Sequence, residues 1–197
     1  MSGAGLRLLG LPSLGPPKTG DNGVLAGLQR RALRGDVLFH GSRRDDLDVL
    51  EPIRRSRDKT QFGDQQAVYA SSDPVWAMYF AFLRRGRPFS TRNASLGPAG
   101  GELYPRWYFF SLRGGYEDEP FAPGWVYVLP RDGFASEPPL ADKLDTAQWV
   151  STSAVRPLER IAVRPADFPF REVIVRHRES EPMFVTWLRA AVRNRVN

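Results

Sequence analysis

An α+β fold is what this sequence predicts, and three observations predict it. Seven short runs are apolar or alternating at strand length: VLFH (37–40), AVYAS (67–71), RWYFFSLR (106–113), WVYVLP (125–130), AQWVS (147–151), LERIAV (158–163) and FREVIVR (170–176). Three stretches, VLAGLQRRALRG (24–35), SSDPVWAMYFAFLRRG (71–86) and PMFVTWLRAAVRN (182–194), carry helical spacing or a capped apolar run. Strands and helices do not alternate strictly, which favours α+β over a parallel α/β sheet.

The bulk numbers fit that class. A chain of 197 residues with 42% hydrophobic and 12% aromatic content has enough apolar material for one substantial core. Residues 24–197 read as a single domain. Residues 1–23 (MSGAGLRLLGLPSLGPPKTGDNG) are broken by Gly and Pro and read as a disordered tail. They lack a clean apolar core for a signal peptide, and the chain has no apolar run long enough to span a membrane. A cytoplasmic location is the expectation. Lys and Arg outnumber Asp and Glu by 28 to 22, giving +6, which favours anionic partners. With no cysteine and only two histidines, disulfides, zinc–thiolate sites, iron–sulfur clusters and cysteine nucleophiles are excluded, and no metal site is expected.

Taken in order, 24–35 reads as a short helix stopped by Gly35. VLFH runs into Gly41 and Ser42. LDVLEP (47–52) ends at Pro52, and 53–66 reads as a basic loop. After the strand 67–71, Asp73 suits an N-cap and Pro74 the first helical position. Arg84 and Arg85 suit the last turn and Gly86 the stop. This helix is apolar nearly all round and should be buried. Residues 86–105 read as a long Gly/Pro/Ser/Arg loop, 114–124 as a turn, and 134–146 as irregular. The final helix should pack Phe184, Trp187, Leu188, Ala191 and Val192 as its apolar face. His177, within RHRES, reads as solvated.

One cluster suggests chemistry. The strand ending His40-Gly41-Ser42 is followed, after a basic loop, by the strand that carries Tyr69 into the buried helix. Gly41 offers bare backbone to a planar ligand, and Ser42 a hydroxyl. Tyr69 and Tyr79 offer flat faces for stacking, and His40 a hydrogen bond to a sugar hydroxyl. Arg43 and Arg44 suit a diphosphate. The expectation is that the His40 imidazole and the Tyr69 phenol face one groove.

LFHGS and AVYASSDPVWAMYFA resemble the first and second motifs of the ADP-ribosyltransferase superfamily. The similar branch is the one with His and Tyr in the cleft: diphtheria-toxin-type enzymes, poly-ADP-ribose polymerases and rifamycin ADP-ribosyltransferases. Tyr69 matches the first tyrosine of that pattern, and Ala77 and Tyr79 match the helix. The resemblance covers roughly 36–83 and 125–163. It implies a split β-sandwich around an NAD cleft, with NAD as substrate and an acceptor of unknown kind: protein, nucleic acid or small molecule. It implies mono-ADP-ribosyl transfer in which His40, Gly41, Ser42, Arg43, Tyr69 and Tyr79 bind NAD. A toxin-like, resistance or regulatory role is equally compatible. QWVSTSAVRPLERIAV (148–163) has the layout of the third motif, but Gln148 stands where such enzymes carry Glu. Glu137, in GFASEPP, or Glu172, in REVIV, are the other candidates for the acid, ranked in that order after Gln148.

Gln148 keeps a second reading open: a non-catalytic member of the fold that binds NAD, ADP-ribose or nucleic acid through the basic surface. A plain nucleic-acid-binding domain is a third. The tRNA 2′-phosphotransferases share the fold and a similar strand, but LQRRALRG lacks their Arg-His pair. No G-x-S-x-G elbow, phosphate loop or dinucleotide fingerprint occurs.

Overall fold

The computed structural model describes residues 10–55, 62, 65–84, 90–113 and 120–196. In chain order the elements are β1 (Ser13–Leu14), α1 (Val24–Ala32), β2 (Val37–Ser42), β3 (Arg54–Arg55), β4 (Gln66–Ser71), α2 (Pro74–Phe82), β5 (Ser90–Pro98), β6 (Arg106–Arg113) and β7 (Gly124–Pro130). They continue with β8 (Ala135–Ser136), β9 (Leu144–Asp145), β10 (Gln148–Ser151), β11 (Glu159–Val163), β12 (Val175–Arg176) and α3 (Met183–Val196). One sheet runs β1-β6-β5-β9, with β12 added parallel to β6. The other runs β11-β7-β2-β4-β10-β8, with β3 beside β4. All other pairs are antiparallel. The fold is α+β, as the periodicities predict. Among the described residues no helix is long and apolar enough to cross a membrane.

The largest core cluster joins the two sheets through α2. Val37, Phe39, Val126 and Val128 come from β2 and β7, Tyr108, Phe110 and Leu112 from β6, and Val75, Met78, Tyr79 and Phe82 from the helix. Asp73 caps α2 as expected, its carboxylate accepting from Val75 N and Trp76 N. The helix stops earlier than expected. Leu83 turns to extended backbone and bridges Phe121, so Arg84 lies past the helix. Arg85 and Gly86 lie outside the described residues.

Two glycines let α2 lie close on its sheet. A Cβ on Gly41 would sit 1.9 Å from the Ala77 carbonyl oxygen and 2.7 Å from Ala81 N. One on Gly124 would sit 2.0 Å from the Ala81 carbonyl oxygen. Ala77 and Ala81 are one turn apart, so two bare positions on neighbouring strands form a bed for the small face of the helix.

Several expectations need correction. Residues 90–98, read as loop, form a full strand paired with β6. Its side chains are polar because alternate ones bond to α2. Thr91 meets the Tyr79 hydroxyl at 2.7 Å, Asn93 accepts from Trp76 Nε1 at 2.6 Å, and Ser95 donates to Asp73 at 2.7 Å. Period-two positions on a strand thus answer period-three positions on a helix. Residues 170–176 form a 3₁₀ turn (Arg171–Val173) and only the two-residue β12. Phe168 and Phe170 anchor that segment in the core instead of pairing it. Inside 1–23, Leu11 is buried against Trp107 and Phe109, and β1 pairs with β6. That part is packed, not tail; residues 1–9 lie outside the described residues. The expected basic loop 53–66 contains β3 and is described only in part, as is the turn 114–124. The irregular stretch 134–146 contributes β8 and β9.

The apolar face of α3 is also redrawn. Phe184, Leu188 and Val192 are 66%, 58% and 60% exposed, and the buried side is Thr186, Ala190 and Ala191, with the Trp187 ring tilted against Phe109. Small residues win because they let the helix approach the sheet, and Thr186 is satisfied by Arg92 and Glu181. His177 is not solvated. It is buried beneath this helix, with Nδ1 2.6 Å from Ser111 Oγ.

Candidate functional site

The site forms where β2 and β4 part. Their ladder holds a single pair, Phe39 with Ser71. At the other end of β4, Ala67 and Gln66 pair with Arg54 and Arg55 of β3. Between these two contacts, His40 Nδ1 lies 2.7 Å from the Tyr69 carbonyl oxygen. A carbonyl oxygen only accepts, so Nδ1 carries the proton of this hydrogen bond. The imidazole supplies the hydrogen bond that the ladder no longer makes.

Strand alternation sorts the rest. Val37, Phe39 and Gly41 face α2, so His40 and Ser42 leave the opposite face of the sheet. Directly opposite His40 in the β2–β7 ladder stands Tyr127. Its hydroxyl donates to the Arg44 carbonyl at 2.9 Å and accepts from Leu47 N at 3.2 Å. It thereby fixes the start of the segment after His-Gly-Ser, and burial raises its phenol above the usual range. The expectation of His40 and Tyr69 side chains facing each other is therefore corrected. Val68 and Ala70 pack on the His40 side, so Tyr69 leaves on the α2 side of the sheet. The imidazole meets the Tyr69 backbone, not its ring. The phenol is pinned at the strand start, donating to the Gln65 carbonyl at 2.7 Å and accepting from Gln65 N at 3.0 Å.

Tyr69 shares its face with two of the three acid-position candidates, Gln148 and Glu137. Tyr69 is opposite Val150, and Ser71 is opposite Gln148, so Tyr69 and Gln148 are diagonal neighbours, about 7–8 Å apart by sheet geometry. On the far side of β10, Trp149 pairs with Ser136, and Glu137 N donates to the Gln148 carbonyl at 2.8 Å. Glu137 and Gln148 thus stand side by side, both half-buried. Thr146 joins them: its hydroxyl donates to Glu137 Oε2 at 2.6 Å and accepts from Gln148 N at 3.4 Å. Glu172 is elsewhere. It is exposed on the 3₁₀ turn that leads to β12 in the other sheet.

The remaining candidates divide. Gly41 is not open to a ligand from its bare side, because α2 fills that space. Tyr79 is no stacking surface either. It is fully buried among Phe110, Phe121 and Phe168, with its hydroxyl on Thr91. Ser42 Oγ accepts from Arg44 N at 3.1 Å. Arg44 forms a two-point pair with Asp46 at 2.8 and 3.0 Å, which holds that carboxyl below its ordinary range. Arg43 is exposed.

Tyr127, Thr146 and the half-exposed pair Trp76 and Phe80 on α2, with ring centroids 5.9 Å apart, were not singled out by sequence. Trp76 and Phe80 are four apart and lie on a different stripe from Val75, Tyr79 and Phe82. No signal marks Thr146, whose role depends on a turn. Among the described residues no group of His, Cys, Asp or Glu side chains is arranged to hold a metal ion. No protein-family model, no curated protein and no solved structure matches this chain.

Proposed function

We propose that the protein is an NAD-dependent mono-ADP-ribosyltransferase with an ADP-ribosyltransferase-like split sandwich. The observation that carries the reading is the parted β2–β4 seam with His40 locked into it at the Tyr69 carbonyl. It is supported by the gathering of Tyr69, Gln148 and Glu137 on one face of the same sheet. In the reaction the bond from ribose C1′ to the nicotinamide nitrogen breaks, and its electron pair leaves with nicotinamide. A lone pair of the acceptor forms the new bond to C1′, and the acceptor proton is released. His40 leaves the face of the sheet opposite Tyr69, Gln148 and Glu137, so it meets a ribose hydroxyl only through the open β2–β4 seam. Of the two carboxylates among the candidates, Glu137 is the one beside Gln148, and it stabilises the developing oxocarbenium ion. Tyr69, with Trp76 and Phe80 in place of the buried Tyr79, supplies aromatic surface. Positioning and electrostatics provide the catalysis.

The test is incubation with NAD, mass spectrometry for nicotinamide, and calorimetry for binding. No release together with no binding removes the reading.

Gln148 supports a second reading, a fold relative that binds NAD or ADP-ribose without turnover. It predicts NAD binding by calorimetry with no nicotinamide released by the natural sequence.

A further inference from the structure

The turn before β10 is tied down more heavily than a surface connection requires. Arg106, fully buried on β6, donates through Nη1 to Asp145 Oδ2 at 2.7 Å and through Nη2 to the Asp145 carbonyl at 2.9 Å. The same guanidinium donates to Ser95 Oγ at 2.9 Å and to the Ser95 carbonyl at 3.2 Å, which fixes it to β5. Asp145 Oδ1 in turn accepts from Ala147 N at 3.1 Å. Ala147 is buried with φ 57°, a left-handed conformation that a residue with a Cβ adopts only where its surroundings impose it. Its carbonyl accepts from Ser72 N at 3.1 Å, on the segment between β4 and α2. The turn is therefore clamped to both sheets.

Thr146 sits between these two clamped residues. Its hydroxyl has one proton, and that proton goes to Glu137 Oε2 at 2.6 Å, while Gln148 N donates to the oxygen from behind at 3.4 Å. The Glu137 backbone is fixed separately, through its N–H on the Gln148 carbonyl. One carboxylate oxygen is thus held, and the other is left to meet a ligand hydroxyl. A carboxylate that must stay ionised and aimed needs this kind of support, because a small misplacement of a catalytic group is costly in rate.

We infer that Thr146 is a positioning residue for Glu137, and that the Arg106–Asp145 pair and the left-handed Ala147 exist to aim its hydroxyl. This rests on the reading of Glu137 as the acid of an NAD-cleaving site. Thr146 acts through Glu137 and does not itself touch NAD.

The experiment measures nicotinamide release over a range of NAD concentrations for the natural protein, Thr146→Val, Thr146→Ser, Glu137→Gln and the double variant Thr146→Val/Glu137→Gln. Melting temperatures are recorded for each. Thr146→Val keeps the shape and removes the donor; Thr146→Ala serves if the valine variant does not fold. The expected result is a fall in kcat of about 10- to 100-fold in Thr146→Val, with KM for NAD unchanged. Thr146→Ser restores the rate, and Thr146→Val makes no further difference once Glu137 is Gln. An unchanged kcat in Thr146→Val overturns the inference. So does an equal loss in the Glu137→Gln background, which would mean that Thr146 acts on the fold. If the natural protein releases no nicotinamide, the reading of Glu137 as the acid of an NAD-cleaving site fails, whether or not NAD binds, and this inference falls with it; release by the natural protein that is indifferent to Thr146 overturns the inference alone.

Discussion

His40 Nδ1 lies 2.7 Å from the carbonyl oxygen of Tyr69, across the gap where β2 and β4 have stopped pairing. A side chain here does the work of a ladder bond. That relationship makes His40 both a structural tie and a candidate ligand group, and the two roles separate on substitution. His40→Ala leaves the Tyr69 carbonyl without its partner, at a cost of about 1–3 kcal/mol in stability, measured by urea unfolding. If the proposed function holds, the same variant loses NAD binding by more than the stability change explains. His40→Asn, which can still donate toward the carbonyl, recovers part of the stability without recovering binding.

Gly41 behaves differently. Its missing Cβ is filled by the backbone of α2, at 1.9 Å from the Ala77 carbonyl. Backbone cannot step aside as the end of a side chain can, so Gly41→Ala costs about 3 kcal/mol or more. Gly124→Ala, with its Cβ 2.0 Å from the Ala81 carbonyl, does the same from the next strand. Both are expected as large falls in melting temperature. A Gly41 variant that keeps its melting temperature and loses only NAD binding would restore the reading of Gly41 as a ligand contact.

The acids give the third prediction. Glu137 and Gln148 are neighbours joined by Thr146, and on the proposed function Glu137 is the carboxylate that acts. If the proposed function holds, Glu137→Gln lowers nicotinamide release about 100-fold or more, the scale of losing an electrostatic stabiliser. Gln148→Glu places a second carboxylate beside the first and does not raise the rate. Activity that appears only in Gln148→Glu would mark a degenerate site and favour the non-catalytic reading.

How far the sequence led depends on what each residue answers to. Asp73 and Pro74 act locally, through the capping of one helix end, and their roles were legible. In the second sheet β2, β4, β7, β10 and β11 were legible from their apolar or alternating runs, whereas the two-residue β3 and β8 were not. β5 was not, since Thr91, Asn93 and Ser95 look like loop residues until α2 is placed opposite them. Tyr79 and Gly41 illustrate a related failure. Both fit a ligand-binding motif by type and order, but a helix apolar on all sides gives no hint which stripe meets the core. α3 carries two apolar stripes, and only packing decides that Ala190 and Ala191 go in while Phe184 and Leu188 stay out. The grouping of Tyr69, Gln148 and Glu137 needed sheet register, which no single strand encodes.

The buried cap of α2 sets the fourth prediction. Asp73 is fully buried and accepts from Val75 N, Trp76 N, Ser95 Oγ and the Tyr108 hydroxyl. Burial pushes its carboxyl above the usual range, opposed by Arg106 and by those hydrogen bonds. Asp73→Ala removes the helix cap and strands several buried donors together. A loss of about 3–5 kcal/mol is expected, on the scale of breaking a buried charged network, and it is read by denaturant unfolding. Asp73→Asn keeps the size but turns an acceptor into a donor toward groups that already donate, so it recovers little.

The last prediction concerns His177 and pH. His177 is buried, with its ring Nδ1 at Ser111 Oγ, while its backbone N–H donates to the Leu112 carbonyl. Burial, with Arg92, Arg113 and Arg189 nearby and Glu181 opposing them, lowers its pKa to about 4 from the ordinary 6.5. In the folded protein it is neutral across that interval, whereas in the unfolded chain it takes up a proton below 6.5. The unfolded state therefore binds more protons between these two values, and stability must rise with pH through the window. On acidification the protein loses stability from about pH 6.5 downward, and the His177 contribution levels off below about pH 4. His177→Gln, which keeps hydrogen-bonding groups but cannot titrate, should remove that part of the slope. Urea midpoints measured at half-unit steps from pH 4 to 7, for both proteins, give the comparison. Carboxylates titrate in the lower part of the range in both proteins and cancel in the difference. Parallel curves would show that His177 is solvated enough to protonate in place, and that the contact with Ser111 does not hold it neutral.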